Sequence, residues 1–148
     1  MIKFGIAAGI ALLAAAPAAA GGIAVCTGST EDRNGMTDFS AYTLAQSGDA
    51  TIDRRALETE AERNFRSNYA ENQRIRCRGY NGNGHYVVVR AAQGLNGRVL
   101  QLIGFGFGAT REEALSNSRE SLDDYPGYHM FIGRGGELEV LEEGTVAS

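Results

Sequence analysis

Apolar and polar positions divide this chain into one long apolar run followed by short alternating segments. Phe4 to Val25 carries no charged residue. Ile23-Ala24-Val25-Cys26, apolar and partly β-branched, predicts a first strand, and the polar residues 27–37, with a turn signal at Asn34-Gly35, predict a loop. A second strand is predicted over Phe39–Leu44, where Phe39, Ala41 and Thr43 alternate with Ser40, Tyr42 and Leu44. Residues 54–71 read as a helix: Asp53 is placed to cap it, and Leu57, Ala61, Phe65 and Tyr69 recur every fourth position on one face. Glu58, Glu62 and Arg66 occupy its other side, spaced for i, i+4 contacts.

Beyond this helix the pattern returns to a period of two. Over Arg74–Tyr80, Ile75 and Cys77 oppose Arg74, Arg76 and Arg78. Asn81-Gly82-Asn83-Gly84 has hairpin chemistry, because Asn and Gly tolerate the positive φ that tight turns require. Strands are predicted over 86–91 and 98–107, joined by a turn at Asn96-Gly97. Thr110-Arg111-Glu112-Glu113 is a capping box opening a helix to about Asp123, with Ala114, Leu115, Ser118 and Leu122 inward and Pro126-Gly127 ending it. His129–Ile132 and Glu137–Leu141 are predicted to form a last hairpin across Arg134-Gly135-Gly136. The sum is an α+β domain: an antiparallel β-meander of five to seven strands with two helices on one face. Its order suggests a degenerate ββαβ repeat, in which residues 50–57 echo residues 109–115 with one residue inserted.

The apolar run at the start has the form of an export signal. Lys3 supplies a positive n-region, Phe4–Ala16 an Ala-rich apolar stretch, and Ala18-Ala19-Ala20 the small residues a signal peptidase selects. Cleavage after Ala20 leaves one domain, residues 21–148, without a membrane span, in the periplasm or secreted. A retained anchor fits less well, since the run is dominated by Ala and Gly and no basic residue follows it before Arg33.

Removal of the leader takes away the only lysine, so every remaining basic residue is Arg. The formal net charge of −4 argues against a general nucleic-acid binder, which needs a net basic surface. The two cysteines, Cys26 and Cys77, form no C-x-x-C pair, and in an oxidising compartment they predict one disulfide.

Gly104-Phe105-Gly106-Phe107-Gly108-Ala109 formally matches a dinucleotide fingerprint. Its glycines, however, alternate within a strand instead of occupying the turn of a parallel βαβ unit. Glycines lining one sheet face let a helix approach closely, while Ile103, Phe105 and Phe107 project from the other face. No cofactor is expected. The same stretch, GFGFGATREEAL after an apolar strand, resembles a family of exported bacterial domains of unknown function over residues 86–133. That family has an aromatic and glycine strand, a Thr-initiated helix with Glu-Glu-Ala, and a short apolar strand. Its members usually carry cysteines at the end of that helix and beyond it, a region where this chain has Leu122 and Tyr128. The resemblance implies fold and export and assigns no catalytic residue.

Candidate chemistry is sparse. His85 and His129 are the only histidines; paired, with Arg90 or the 74/76/78 arginines on phosphate, they would suit a small phosphodiesterase-like hydrolase. Nothing in the sequence brings them together. Glu137, Glu139, Glu142 and Glu143 read as a solvated edge hairpin, and no metal site is expected. The best recognition feature is Arg74/Arg76/Arg78, three guanidinium groups about 7 Å apart on one strand face, suited to an acidic protein or an anionic cell-envelope ligand unless neighbouring carboxylates pair with them. The sequence therefore favours a non-catalytic binding or inhibitory module over a hydrolase.

Overall fold

The computed structural model describes residues 21–31, 33–35, 37–69, 74–95, 98–125, 128–129 and 137–146. The expected leader, the turns at 96–97 and 126–127, and the strand and turn over 130–136 lie outside these residues. The described chain runs β1 (Gly22–Glu31), β2 (Thr37–Ser47), α1 (Arg54–Asn68), β3 (Arg74–Asn81), β4 (His85–Leu95), β5 (Arg98–Gly108), α2 (Arg111–Glu120) with a 3-10 turn (Ser121–Asp124), and β6 (Glu137–Thr145).

The fold class is α+β, but the strands do not form one meander. They make two antiparallel three-stranded sheets, β3-β1-β2 and β5-β4-β6, which join only through a parallel bridge between Phe39 and Gln101. Each sheet is built from strand, strand, helix and strand, with the first strand in the centre. The helices, expected on one face, lie on opposite outer faces. The cause is that both central strands are apolar on both sides and so need cover on both. Ile23 and Val25 of β1 meet Tyr86 and Val88 of β4, with Ile103, Phe105 and Val146, in a core between the sheets. On the outside, Leu57, Ala61 and Phe65 of α1 cover Ala24, Cys26, Ala41 and Ala45. Ala114 of α2 and Leu122 of the 3-10 turn cover Val87, Val89, Ala91 and Leu102. The result is four layers, helix, sheet, sheet, helix.

Both helix starts follow their capping residues. Asp53 accepts from the Arg55 N–H at 3.1 Å. Thr110 Oγ1 accepts from the Glu113 N–H at 3.1 Å, while the Glu113 carboxylate reaches back to the Ala109 N–H at 3.0 Å. From these caps, inward positions recur every fourth residue: Leu57, Ala61 and Phe65 in α1; Ala114, Ser118 and Leu122 from α2 onward. The structural correspondence therefore matches Asp53 with Thr110. The apparent echo of Thr51 with Thr110 is out of register, since the Thr51 N–H and hydroxyl both donate to Asp49 Oδ1 at 2.8 Å, in the turn before α1. Leu115, expected inward, is only half-buried.

The glycine strand packs as its alternation predicts. A Cβ at Gly104 would lie 2.3 Å from the Ser118 carbonyl oxygen, and one at Gly106 2.3 Å from the Ala114 oxygen and the Ser118 nitrogen. α2 thus rests directly on the β5 backbone. With the 3-10 turn and Tyr125 that follow it, α2 also closes that strand's edge: Asn117 Nδ2 donates to the Phe107 carbonyl at 2.7 Å, the Tyr125 hydroxyl donates to the Ile103 carbonyl at 2.8 Å, and Ser121 Oγ accepts from the Phe105 N–H at 3.0 Å. Backbone groups that a further strand would have used are satisfied by side chains instead.

Other boundaries differ from expectation. β1 continues through Glu31, so the expected loop begins later, although Gly35 does take the positive φ (77°) of its turn. Gly82 also has positive φ (118°), yet Asn81–Gly84 is not a hairpin: β3 pairs with β1, and β4 pairs with β5 and β6, so this link carries the chain from one sheet to the other. β6 pairs along β4, from Thr145 opposite His85 to Glu137 opposite Ala92. Tyr128 and His129 are helical, so the strand expected over His129–Ile132 does not begin at His129.

Candidate functional site

β3 is an edge strand. Its alternation turns Ile75 and Cys77 toward the α1 side and Arg74, Arg76 and Arg78 toward the space between the sheets. Cys77 lies directly opposite Cys26 and is disulfide-bonded to it, at a sequence separation of 51, so the expected cross-link ties the arginine strand to the central strand β1. Register places Arg78 beside Val25, Arg76 beside Thr27 and Arg74 beside Ser29. Along this face the apolar core gives way to hydroxyls and charge.

The three arginines line one cleft of about 140 Å³ with Thr27, Ser29 and Glu31 of β1, Ile103 and Phe105 of β5, and Ser121, Asp124 and Tyr125 beyond α2. Arg78, Phe105, Ser121 and Asp124 also border a second cleft of about 390 Å³, which continues over Phe107 and Asn117. The Arg78 guanidinium lies 5.9 Å from the centre of the Phe105 ring, a cation–π contact. Tyr80 stacks on Phe107 with ring centres 5.5 Å apart.

Carboxylates answer part of the arginine charge. Arg74 pairs with Glu31 at 2.9 Å, and Arg78 stands 3.9 Å from Asp124. Arg76, in the middle and exposed, has no carboxylate partner among the described residues. The two pairs hold arginines that are 74% and 64% exposed, and solvent-exposed pairs contribute only about 0–1 kcal/mol. An acidic group entering the cleft can therefore displace either carboxylate at little cost.

Tyr125 fixes the far wall. Its hydroxyl donates to the Ile103 carbonyl and is 3.0 Å from Ser40 Oγ, which tethers the 3-10 turn to both sheets. Burial pushes its phenol above the usual range, and the hydrogen bonds from Ser40 and Thr27 oppose that shift. Sequence reasoning found the arginines but missed Thr27, Ser29, Phe105 and Tyr125 as their company. Thr27 and Ser29 sat in a segment read as loop, and Tyr125 in a helix end with no partner legible.

The other candidates lie elsewhere. His85 is half-buried at the start of β4, and His129 is exposed with Nε2 3.6 Å from Asp123 Oδ1. Neither lines the arginine cleft. Arg90 pairs with Glu139 at 2.7 Å and Arg111 with Glu143 at 2.7 Å. Glu142 lies between two phenols, accepting from the Tyr42 hydroxyl at 3.0 Å and the Tyr86 hydroxyl at 3.5 Å. Among the described residues no three His, Cys, Asp or Glu side chains gather as metal ligands. The chain matches no family model, and no curated protein or solved structure is similar to it.

Proposed function

We propose that this chain is an exported, non-catalytic binding module whose cleft takes an acidic group of its ligand. The observation that carries the reading is Arg76, an exposed guanidinium without a carboxylate partner among the described residues, between two arginines held only by weak surface pairs. Thr27 and Ser29 add hydroxyl donors on the adjacent strand, and Phe105 supplies an apolar wall. A guanidinium flanked by hydroxyls presents several N–H and O–H donors to one carboxylate or ester oxyanion. Neither histidine lines the cleft, so the imidazole that the hydrolase reading needs is not beside the arginines, which favours binding over hydrolysis.

Export is supported by the Cys26–Cys77 disulfide, which persists outside a reducing cytoplasm. It is supported also by the leader-like residues 1–20 and by the resemblance of residues 86–133 to exported domains. No helix of the described residues is long and apolar enough to cross a membrane. Calorimetric titration with a glutamate-rich peptide tests the binding reading. Arg76→Ala is expected to weaken binding about tenfold, the consequence of losing one charge-assisted contact of about 1.4 kcal/mol, while His85→Ala and His129→Ala leave it unchanged. Equal affinity of wild type and Arg76→Ala would refute it.

A further inference from the structure

β3 and β6 are the terminal strands of the two sheets, and among the described residues nothing pairs with their outer edges. The two edges differ in sign. β3 reads Arg74-Ile75-Arg76-Cys77-Arg78, with the arginines on the inter-sheet face. β6 reads Glu137-Leu138-Glu139-Val140-Leu141. Glu139 sits opposite Arg90 in β4 and is ion-paired with it, and Glu137 sits opposite Ala92; both share the face of Tyr86 and Val88, which is again the inter-sheet face. Leu138 and Val140 occupy the outer face and remain 40% and 41% exposed. Glu137 has no ion pair among the described residues.

We infer that the acidic ligand of the arginine edge is the β6 edge of a second copy of this chain, added antiparallel to β3. The inference rests on the binding reading above and names its partner. Both halves of the fold share one strand order, and with the right-handed crossover general to such units, antiparallel docking of β6 on β3 brings inter-sheet face to inter-sheet face. With Glu139 opposite Arg76, Glu137 falls opposite Arg78, Leu138 opposite Cys77 and Val140 opposite Ile75. Arg76 and Arg78 then each meet a glutamate on one face, Arg74 falls opposite Leu141, and apolar residues meet on the other face. Like edges cannot do this: β6 on β6 sets glutamates against glutamates, and β3 on β3 sets arginines against arginines. Because the two edges lie at different ends of the molecule, the contact is heterologous, and repeated contacts build a filament or a ring.

Sedimentation and light scattering of the intact protein across a wide concentration range test this, at low and at high salt. The wild type is expected to grow beyond a dimer with concentration and to dissociate as salt screens the edges. Glu137→Arg and Arg78→Glu, at residues that face each other in this register, are each expected to weaken assembly about tenfold or more. Their mixture is expected to recover it, since each variant's altered edge meets the complementary edge of the other; Leu138→Asp, which leaves the arginines intact, is expected to weaken it too. A wild type that stays monomeric while the glutamate-rich peptide still binds through Arg76 overturns the self-assembly and spares the binding reading. Assembly that survives either reversal, or two variants that fail to complement, overturns it as well.

Discussion

Replacing Gly106 by Ala places a methyl carbon 2.3 Å from both the Ala114 carbonyl oxygen and the Ser118 nitrogen. Both are backbone atoms of α2, so no side chain can swing aside; the helix must retreat by roughly 1 Å to restore van der Waals distance. That retreat loosens Ala114 and Leu122 from Val87, Val89 and Leu102, on the outer face where α2 covers its sheet. Overpacking of this kind costs about 3 kcal/mol, and the lower unfolded-state entropy of alanine offsets about 0.5 kcal/mol of it. The net loss of about 2.5 kcal/mol lowers the melting temperature of a domain this size by about 10 °C. Gly48 is the internal control, since a Cβ there meets nothing within 4 Å and its φ is not in the positive range. Thermal and urea unfolding of Gly106→Ala, Gly48→Ala and wild type, followed by far-ultraviolet circular dichroism, gives the comparison. If Gly106→Ala unfolds within about 0.5 kcal/mol of Gly48→Ala, α2 does not rest on the β5 backbone and the packing argument fails.

Two further outcomes follow from the structure. Removing the cross-link by Cys26→Ala/Cys77→Ala releases a loop of 51 residues' separation, and the chain-entropy relation assigns it about 4 kcal/mol, read as a lower urea midpoint; an unchanged midpoint would refute that contribution. The Tyr42 phenol is pushed up to about 12 by burial first and by the Glu142 carboxylate second. The folded state therefore holds this proton more tightly than the unfolded chain, so stability is intact below pH 10 and falls as pH rises from 10 to 12. Phenolate absorbance and alkaline unfolding should show late-titrating tyrosines, fewer by one in Tyr42→Phe, and a late amplitude unchanged by that substitution would contradict the half-buried Tyr42–Glu142 contact.

Much of the local structure was legible because its causes are local. Asp53 and Thr110 cap helices where their spacing to the following apolar positions says they must, and the helical stripe Leu57, Ala61, Phe65 is buried as its period requires. The glycines of β5 were readable for the same reason: a strand with Gly104, Gly106 and Gly108 on one face can accept only something that approaches its backbone. The cleft was legible by half. The arginines declared themselves by alternation on one strand, whereas Thr27, Ser29, Phe105 and Tyr125 come from three other segments, brought together by pairing and packing between distant parts of the chain.

The amino-acid sequence by itself determined which residues share a face, where the helices begin, that two cysteines exist to be joined, and that three arginines stand in a row. Only the tertiary structure decided what covers each face and which strands meet. Alternation in a strand specifies two sides but not their partners, and β1 and β4, apolar on both sides, accept a helix or another sheet equally well. A turn such as Asn81–Gly84 dictates that the chain reverses, not the strand to which it returns. Burial of the face shared by Ile23, Val25, Tyr86 and Val88 settled both questions, folding two sheets against each other and leaving an arginine edge and a glutamate edge at their ends.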